Sequence, residues 1–392
     1  MKKSYLILAA VAGLFASCTQ EVLVDENVNA VTESPIGFTT FTESQTRAEN
    51  NSAATNKYDL ENYFATPTFD VWAWKYYDGA WVSTAVYNKG TVSYASSAWT
   101  ADPVKFWDKS AEKYYFYAAA PSDANWTMNN GGGDAGYLTY TDFTLAGGLT
   151  NNMSNQKAST DYQEYFKEAA SDVDLLIAED NEVARASYNK AIPDDVNETF
   201  DHILSRLNVT IKIKDGSALL ATGIDVKVTE FGITGVNLKN KGTFTENAES
   251  GTTLSAGTTG RWGTLTTAGT YNLPGYDISS TSLGSTALYI AQYLIIPQAI
   301  TSEVLDRANG KVGGTTDAAH PYFKLSYTIN GEPYTAYCNL ANAFGKASGA
   351  TLDFCEGWQN TLNILIDADI ITFDAEVYEW TNKENVDIII ED

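Results

Sequence analysis

The chain has 392 residues, enough for two domains of ordinary size, and a formal charge of −24. That acidity argues against a nucleic-acid partner, because phosphate binding needs clustered Lys and Arg, and against electrostatic docking on an anionic membrane. Aromatic residues make up 12 % of the chain, and with the many Thr and Val they give a β-rich composition.

Lys2 and Lys3 precede an apolar run over 5–15 and the small residues Ala16 and Ser17. This is the build of a secretory signal peptide, expected over 1–17. The run is too short to cross a bilayer as a helix. Cys18, the first residue after it, can carry a lipid and suggests a lipoprotein. Phe15 stands where leucine is usual in such signals, so a soluble signal with an incidental Cys18 is the alternative. Residues 18–47 read as a polar, acidic tether with a strand-like insert at 35–42. Thr46-Arg47-Ala48 follows, and the order tether, strand, arginine suggests a precursor whose first strand can be removed.

Strands are expected at 69–77 and 80–87, around the hairpin signal Asp78-Gly79. Others are expected near 91–94, 104–107, 114–120, 136–144 and 173–178. Tyr162, Tyr165 and Phe166 have helical spacing, so one short helix is expected within 159–170. Residues 129–136 and 146–155 read as loops, and 191–195 as a linker. Beyond it Leu207, Val209, Ile211 and Ile213 alternate with Asn208, Thr210, Lys212 and Lys214, which predicts a strand with one buried and one wet face. Strands should follow at 226–233, 242–246, 287–296, 323–329, 334–340, 362–366 and 370–380, with Asn330-Gly331 opening a second hairpin. Short strands between turn signals, with almost no helix, indicate two β-sandwiches in series.

At the C-terminus Val386, Ile388 and Ile390 alternate with Asp387, Ile389 and Glu391. Such a strand either joins its own sheet or adds to the open edge of another subunit. Cys338 and Cys355 could form a disulfide or remain two separate buried thiols. With only His202 and His320 in the chain, a zinc site is disfavoured.

Several motifs are set aside. Gly131 to Gly136 match GxGxxG literally but lack the strand before and helix after that a dinucleotide loop needs. His202 reads as packed or hydrogen-bonded, and His320 lies in a loop. The pairs Asp172/Asp174 and Asp367/Asp369 read as solvated surface. Trp72, Trp74, Trp81 and Trp99 could stack sugars but fit sandwich core better. No catalytic, cofactor or metal residue is assigned, and the chain is not expected to be an enzyme.

Taken in order, IGFTTF and TRA within 36–48, Trp99, KFW at 105–107, YYFYAAAP at 114–121, DVDLLIA at 172–178, FDHILSRLNVTIKI at 200–213, YLIIPQ at 293–298 and GWQNTLNILI at 357–366 resemble the fimbrillin family, the two-domain subunits of type V pili in Gram-negative bacteria. The likeness covers nearly the whole chain. It implies an all-β fold of two tandem β-sandwiches, Greek-key and transthyretin-like, with few short helices. The expected division is a signal peptide (1–17), a lipoprotein propeptide (18–47), an N-terminal sandwich (48–198) and a C-terminal sandwich (199–392).

The resemblance further implies a precursor anchored in the outer membrane through Cys18. An arginine-specific protease would cut it between Arg47 and Ala48. Loss of the strand bearing Ile36, Phe38 and Thr40 would open a groove, to be filled by the C-terminal strand of another pilus subunit, here Val386, Ile388 and Ile390. The product would be a surface fimbria adhering to a host or bacterial receptor. Alternatives are a tip or anchor subunit of the same pilus class, or a glycan-binding surface lipoprotein.

Overall fold

The segments TFDVWAWKYY and KYYFYAAA are too continuously apolar for a strand with one wet face, and the fold buries them on both sides. In the computed structural model, which describes residues 34–42, 60–64, 66–147, 172–189, 195–234, 238–247, 260–267, 272–302, 321–346, 349–368 and 371–379, they are the central strands of the largest sheet. That sheet has the order β1 (Phe38–Thr42), β10 (Val196–His202), β9 (Leu176–Ala184), β6 (Lys113–Ala120), β2 (Thr68–Tyr77), β4 (Tyr87–Ala95) and β5 (Ala98–Asp102), with β3 (Ala80–Trp81) hung on β2.

Three four-stranded sheets follow. One is β16 (Leu288–Ile295), β11 (Ser205–Ile213), β21 (Trp358–Ile366) and β22 (Ile371–Glu379). The second is β15 (Asn272–Pro274), β12 (Val226–Thr234), β18 (Tyr322–Ile329) and β19 (Glu332–Asn339). The third is β14 (Trp262–Thr266), β13 (Lys241–Thr245), β8 (Tyr137–Thr144) and β7 (Trp126–Asn129), and a two-stranded ribbon joins β17 (Gln298–Thr301) to β20 (Thr351–Phe354). The helices α1 (Leu60–Tyr63), α2 (Arg185–Tyr188) and α3 (Leu340–Ala343) are single turns. The fold is thus nearly all β, as the composition implies.

Both expected hairpins form, and their turns explain why. Asp78 and Gly79 take φ of 52° and 77°, Asn330 and Gly331 take 51° and 87°, the left-handed pair that matches strand twist in a two-residue turn. The expected strand at 80–87 breaks after two residues and resumes as β4. At 104–107 only Phe106 makes a bridge, to Pro35; Pro103 just before has no N–H to extend a ladder. The helix expected at 159–170 lies outside the described residues.

Alternation along β2 and β6 divides the interior into two clusters. Phe69, Val71, Ala73, Tyr114, Phe116 and Ala118 face a smaller core, closed by Ile36, Phe38, Val196 and Phe200. Trp72, Trp74, Tyr115 and Tyr117 face a larger core shared with β11, β12, β16 and β18. The two parts of the chain around 198/199 are joined by strand pairing: β8 runs antiparallel to β13, and β10 spans the position itself. Ring contacts cross the same position, Phe143 to Trp262 (5.5 Å) and Trp126 to Phe244 (6.2 Å).

β11 departs from expectation on its polar face. Leu207, Val209, Ile211 and Ile213 are buried as read, but so are Asn208 and Thr210. Their hydrogen bonds are made within the sheet. Asn208 Oδ1 accepts from Arg206 Nε (3.1 Å) and Gln292 Nε2 (2.8 Å), and Thr210 Oγ1 donates to Asn363 Oδ1 (2.6 Å). An acceptor and a hydroxyl paired with neighbouring strands can leave water.

A second polar device holds the corner beyond β6. Lys89 takes φ of 61° and donates through Nζ to the carbonyls of Asp123 (2.8 Å), Ala124 (3.1 Å) and Trp126 (2.7 Å). The buried Asp70 carboxylate lies 3.9 Å away and also accepts from Ser122 Oγ and the Asp123 N–H.

Candidate functional site: an edge strand in an aromatic trough

The first strand is short, yet the motif IGFT gives it an inward set at every second position. Ile36, Phe38 and Thr40 are all buried. Phe38 is packed edge-on against Phe69 (5.7 Å between centroids), Tyr87 (5.9 Å) and Phe116 (6.2 Å). Behind these rings Phe69 meets Phe200 at 5.5 Å and Trp99 at 5.2 Å. Edge-to-face rings of this kind add to plain burial.

The backbone of the segment is held from both sides. β1 pairs in parallel with β10, Phe38 opposite Val196 and Thr40 opposite Glu198, and the Val196 N–H donates to the Gly37 carbonyl (2.9 Å). On the other flank the Ile36 N–H donates to the Lys105 carbonyl (2.8 Å), and the Trp107 N–H donates to Ser34 (3.0 Å). Within 104–107, Trp107 turns inward while Val104 and Phe106 are exposed at the rim. Residues 34–42 therefore fill a slot: β1 lines β10, and the residues just before it are tied to the chain just past β5.

The slot contains polar groups. Thr40 Oγ1 donates to Glu61 Oε2 of α1 at 3.4 Å. Glu198 is fully buried, and Asn181 Nδ2 of β9 donates to its Oε2 at 3.2 Å. Burial lifts the Glu198 carboxyl to about 7, with the Asn181 bond acting in the opposite direction. Burial also pushes the Tyr87 phenol up to about 12, against a bond with the Lys105 backbone.

Of the residues singled out from the sequence, Ile36, Phe38 and Thr40 come together in this slot. Cys18, Arg47, Ala48, Val386, Ile388 and Ile390 lie outside the described residues. Cys338 and Cys355 are buried thiols, not joined in a disulfide. Glu61 and Glu198 were missed. The signal was present, since Val196, Glu198 and Phe200 alternate, but a glutamate at an inward position breaks the apolar pattern that marks a strand.

The set-aside motifs find structural employment. Asp172 and Asp174 are buried, where solvated surface was expected. Asp172 accepts from the Ala146 and Gly147 N–H groups, and Asp174 Oδ2 bonds His202 Nδ1 at 2.6 Å. Asp367 accepts from Ser217 Oγ. Gly133 lies under the Trp81 ring, where a Cβ would come within 2.2 Å of it, and its carbonyl accepts from Tyr117 Oη. Trp72 and Trp74 are buried, Trp81 packs on Tyr76 and Tyr115, and Trp99 lies against Phe69 and Tyr94.

An all-β chain whose first strand completes a core from the sheet edge defines the class, and comparison with known proteins gives the family. A family model described as fimbrillin-like matches residues 46–380; the chain belongs to that family. Among solved structures it is similar to a fimbrial protein from Bacteroides vulgatus, at 16 % identity over 88 % of this chain and 99 % of that one, with a TM-score of 0.51. A fimbrial assembly protein from Parabacteroides distasonis matches at 12 % identity over 90 % of this chain and 97 % of that one, with a TM-score of 0.35. No curated protein matches the chain in sequence.

Proposed function

We propose that the protein is a structural subunit of a bacterial surface pilus with a role in adhesion, matured by removal of β1 and polymerised by strand exchange. Family membership supports the pilus assignment. The observation that carries the exchange reading is the seat of β1: an edge strand paired with β10, its buried side chains in an aromatic trough, with the residues just before it tied to the chain past β5. Emptying that slot would return Ile36, Phe38 and the facing rings to water. At about 1.5–3 kcal/mol per large apolar side chain, refilling it with a strand of like pattern is strongly favoured. Unpaired backbone on β10 adds to the drive.

In this reading the precursor is exported through its signal and anchored in the outer membrane at Cys18. Cleavage between Arg47 and Ala48 frees the first strand, and Val386, Ile388 and Ile390 of another subunit take its place. The cut acts as an irreversible trigger, since the seated β1 blocks assembly until then. The test is digestion of the purified precursor with an arginine-specific protease, followed by intact mass and gel filtration. A body starting at Ala48 that builds a ladder of oligomers, lost on deletion of 386–392, is the expected result. A chain uncut at Arg47, or cut there and still monomeric after its first strand has gone, would overturn it.

A further inference from the structure

Glu198 is a buried acid for which strand exchange alone gives no role. It stands opposite Thr40 in the β1–β10 register, on the buried face of β10 with Val196 and Phe200. One carboxyl oxygen takes the Asn181 amide, and Oε1 has no hydrogen-bond partner among the described residues. Thr40 sends its hydroxyl to Glu61 instead. The polar and titratable groups described around the slot include Asn181 from β9, Thr40 from β1, Glu61 from α1 and the neutral Tyr87 phenol from β4, with Asp195 against Gly37 and Lys105 on the flanking segment; on the Glu198 carboxyl itself only burial and the Asn181 bond act.

We propose that Glu198 is a proton-operated latch on the first strand: β1 stays seated while Glu198 carries a proton and is loosened when Glu198 ionises. The proposal rests on the reading of β1 as the removable strand. A carboxylate with one unbonded oxygen is costly in an apolar slot, whereas the neutral acid is tolerated. Withdrawal of β1 turns β10 into a sheet edge and admits water, which returns the acid to its ordinary range.

The sign follows from linkage. The seated form titrates at about 7 against an ordinary 4.5, so it holds the extra proton. Retention of β1 is greatest below the ordinary value and is lost as pH rises through the higher one. Between pH 5 and 8 the opening equilibrium should rise on the order of 50-fold.

The experiment is hydrogen exchange at the β1 and β10 amides of the full, uncut chain, wild type against Glu198→Gln, at each pH from 5 to 8. Taking the ratio of the two proteins at one pH cancels the intrinsic pH dependence of exchange. The expected result is a ratio of wild-type to variant opening that climbs roughly 50-fold across the range. A flat ratio overturns the latch. Should the glutamine variant not fold, isotope-edited infrared titration of wild-type glutamate decides. A buried carboxyl that titrates near neutrality before arginine-specific digestion, and in the ordinary range once β1 has gone, supports the latch; one titrating alike in both overturns it. The two readings fail separately. A climbing ratio in a chain that resists cutting at Arg47 keeps the latch and sinks strand removal, whereas a flat ratio in a chain that cuts and polymerises does the reverse.

Discussion

The two cores of this molecule are built from similar residues but are closed in different ways. The larger is sealed by strands from distant parts of the chain: β8 pairs with β13, β11 with β21, and Trp262 donates its indole N–H to the Ile203 carbonyl. The smaller is completed by one five-residue strand at a sheet edge. A core whose closing piece lies at an edge can lose that piece locally, while a core woven from both chain halves fails only as a whole.

The contrast can be broken at its strong end first. Trp262→Ala should lower global stability by about 3–5 kcal/mol, since it empties a fully buried site and orphans the Ile203 carbonyl. Denaturant unfolding should show one cooperative shift. Phe38→Ala removes the ring that meets Phe69, Tyr87 and Phe116, at a cost of about 3 kcal/mol. Here the loss should appear as faster exchange confined to β1 and β10, with the larger core still protected; equal loosening of both cores would remove the distinction.

A third change examines the polar face of β11. Asn208→Ala leaves Arg206 Nε and Gln292 Nε2 without their shared acceptor, for about 1–3 kcal/mol. Asn208→Leu should not restore it, because leucine offers neither donor an acceptor. Smallest is Asp108, near the rim of the small core. Partial burial raises its carboxyl, but Lys75 at 2.7 Å and the Ser110 bonds outweigh this and hold it at about 2. A depressed acid contributes above its ordinary range and loses that contribution as pH falls towards 2. Asp108→Asn should therefore cost well under about 1 kcal/mol at pH 7, water screening this partly exposed pair, and progressively less as pH falls through about 2, in a pH series of thermal melts.

Much of this was legible in the chain. The Asp78-Gly79 and Asn330-Gly331 turns and the short strand near 35–42 follow from local rules that tertiary context did not override, while the set Ile36, Phe38 and Thr40 came from the family resemblance. What escaped was the strand β10, which mixes charge with apolar residues, and the burial of the polar face of β11. β10 carries Glu198 on its buried face, and β11 hides Asn208 and Thr210. Periodicity treats every polar residue as wet. Partners that satisfy a polar group come from other strands, as Gln292 and Asn181 do here, and their proximity is a property of the fold rather than of the local sequence.

Lys89 has one more consequence. A ring of backbone carbonyls with a carboxylate beside it is the kind of cage in which calcium is often held, and here the chain supplies the cation from its own side chain. The corner is therefore a built-in clasp that borrows nothing from the medium. Chelators should leave it untouched, whereas a reagent that acylates amines would spring it open. Whatever the calcium content of the fluid outside the cell, this part of the subunit arrives already fastened.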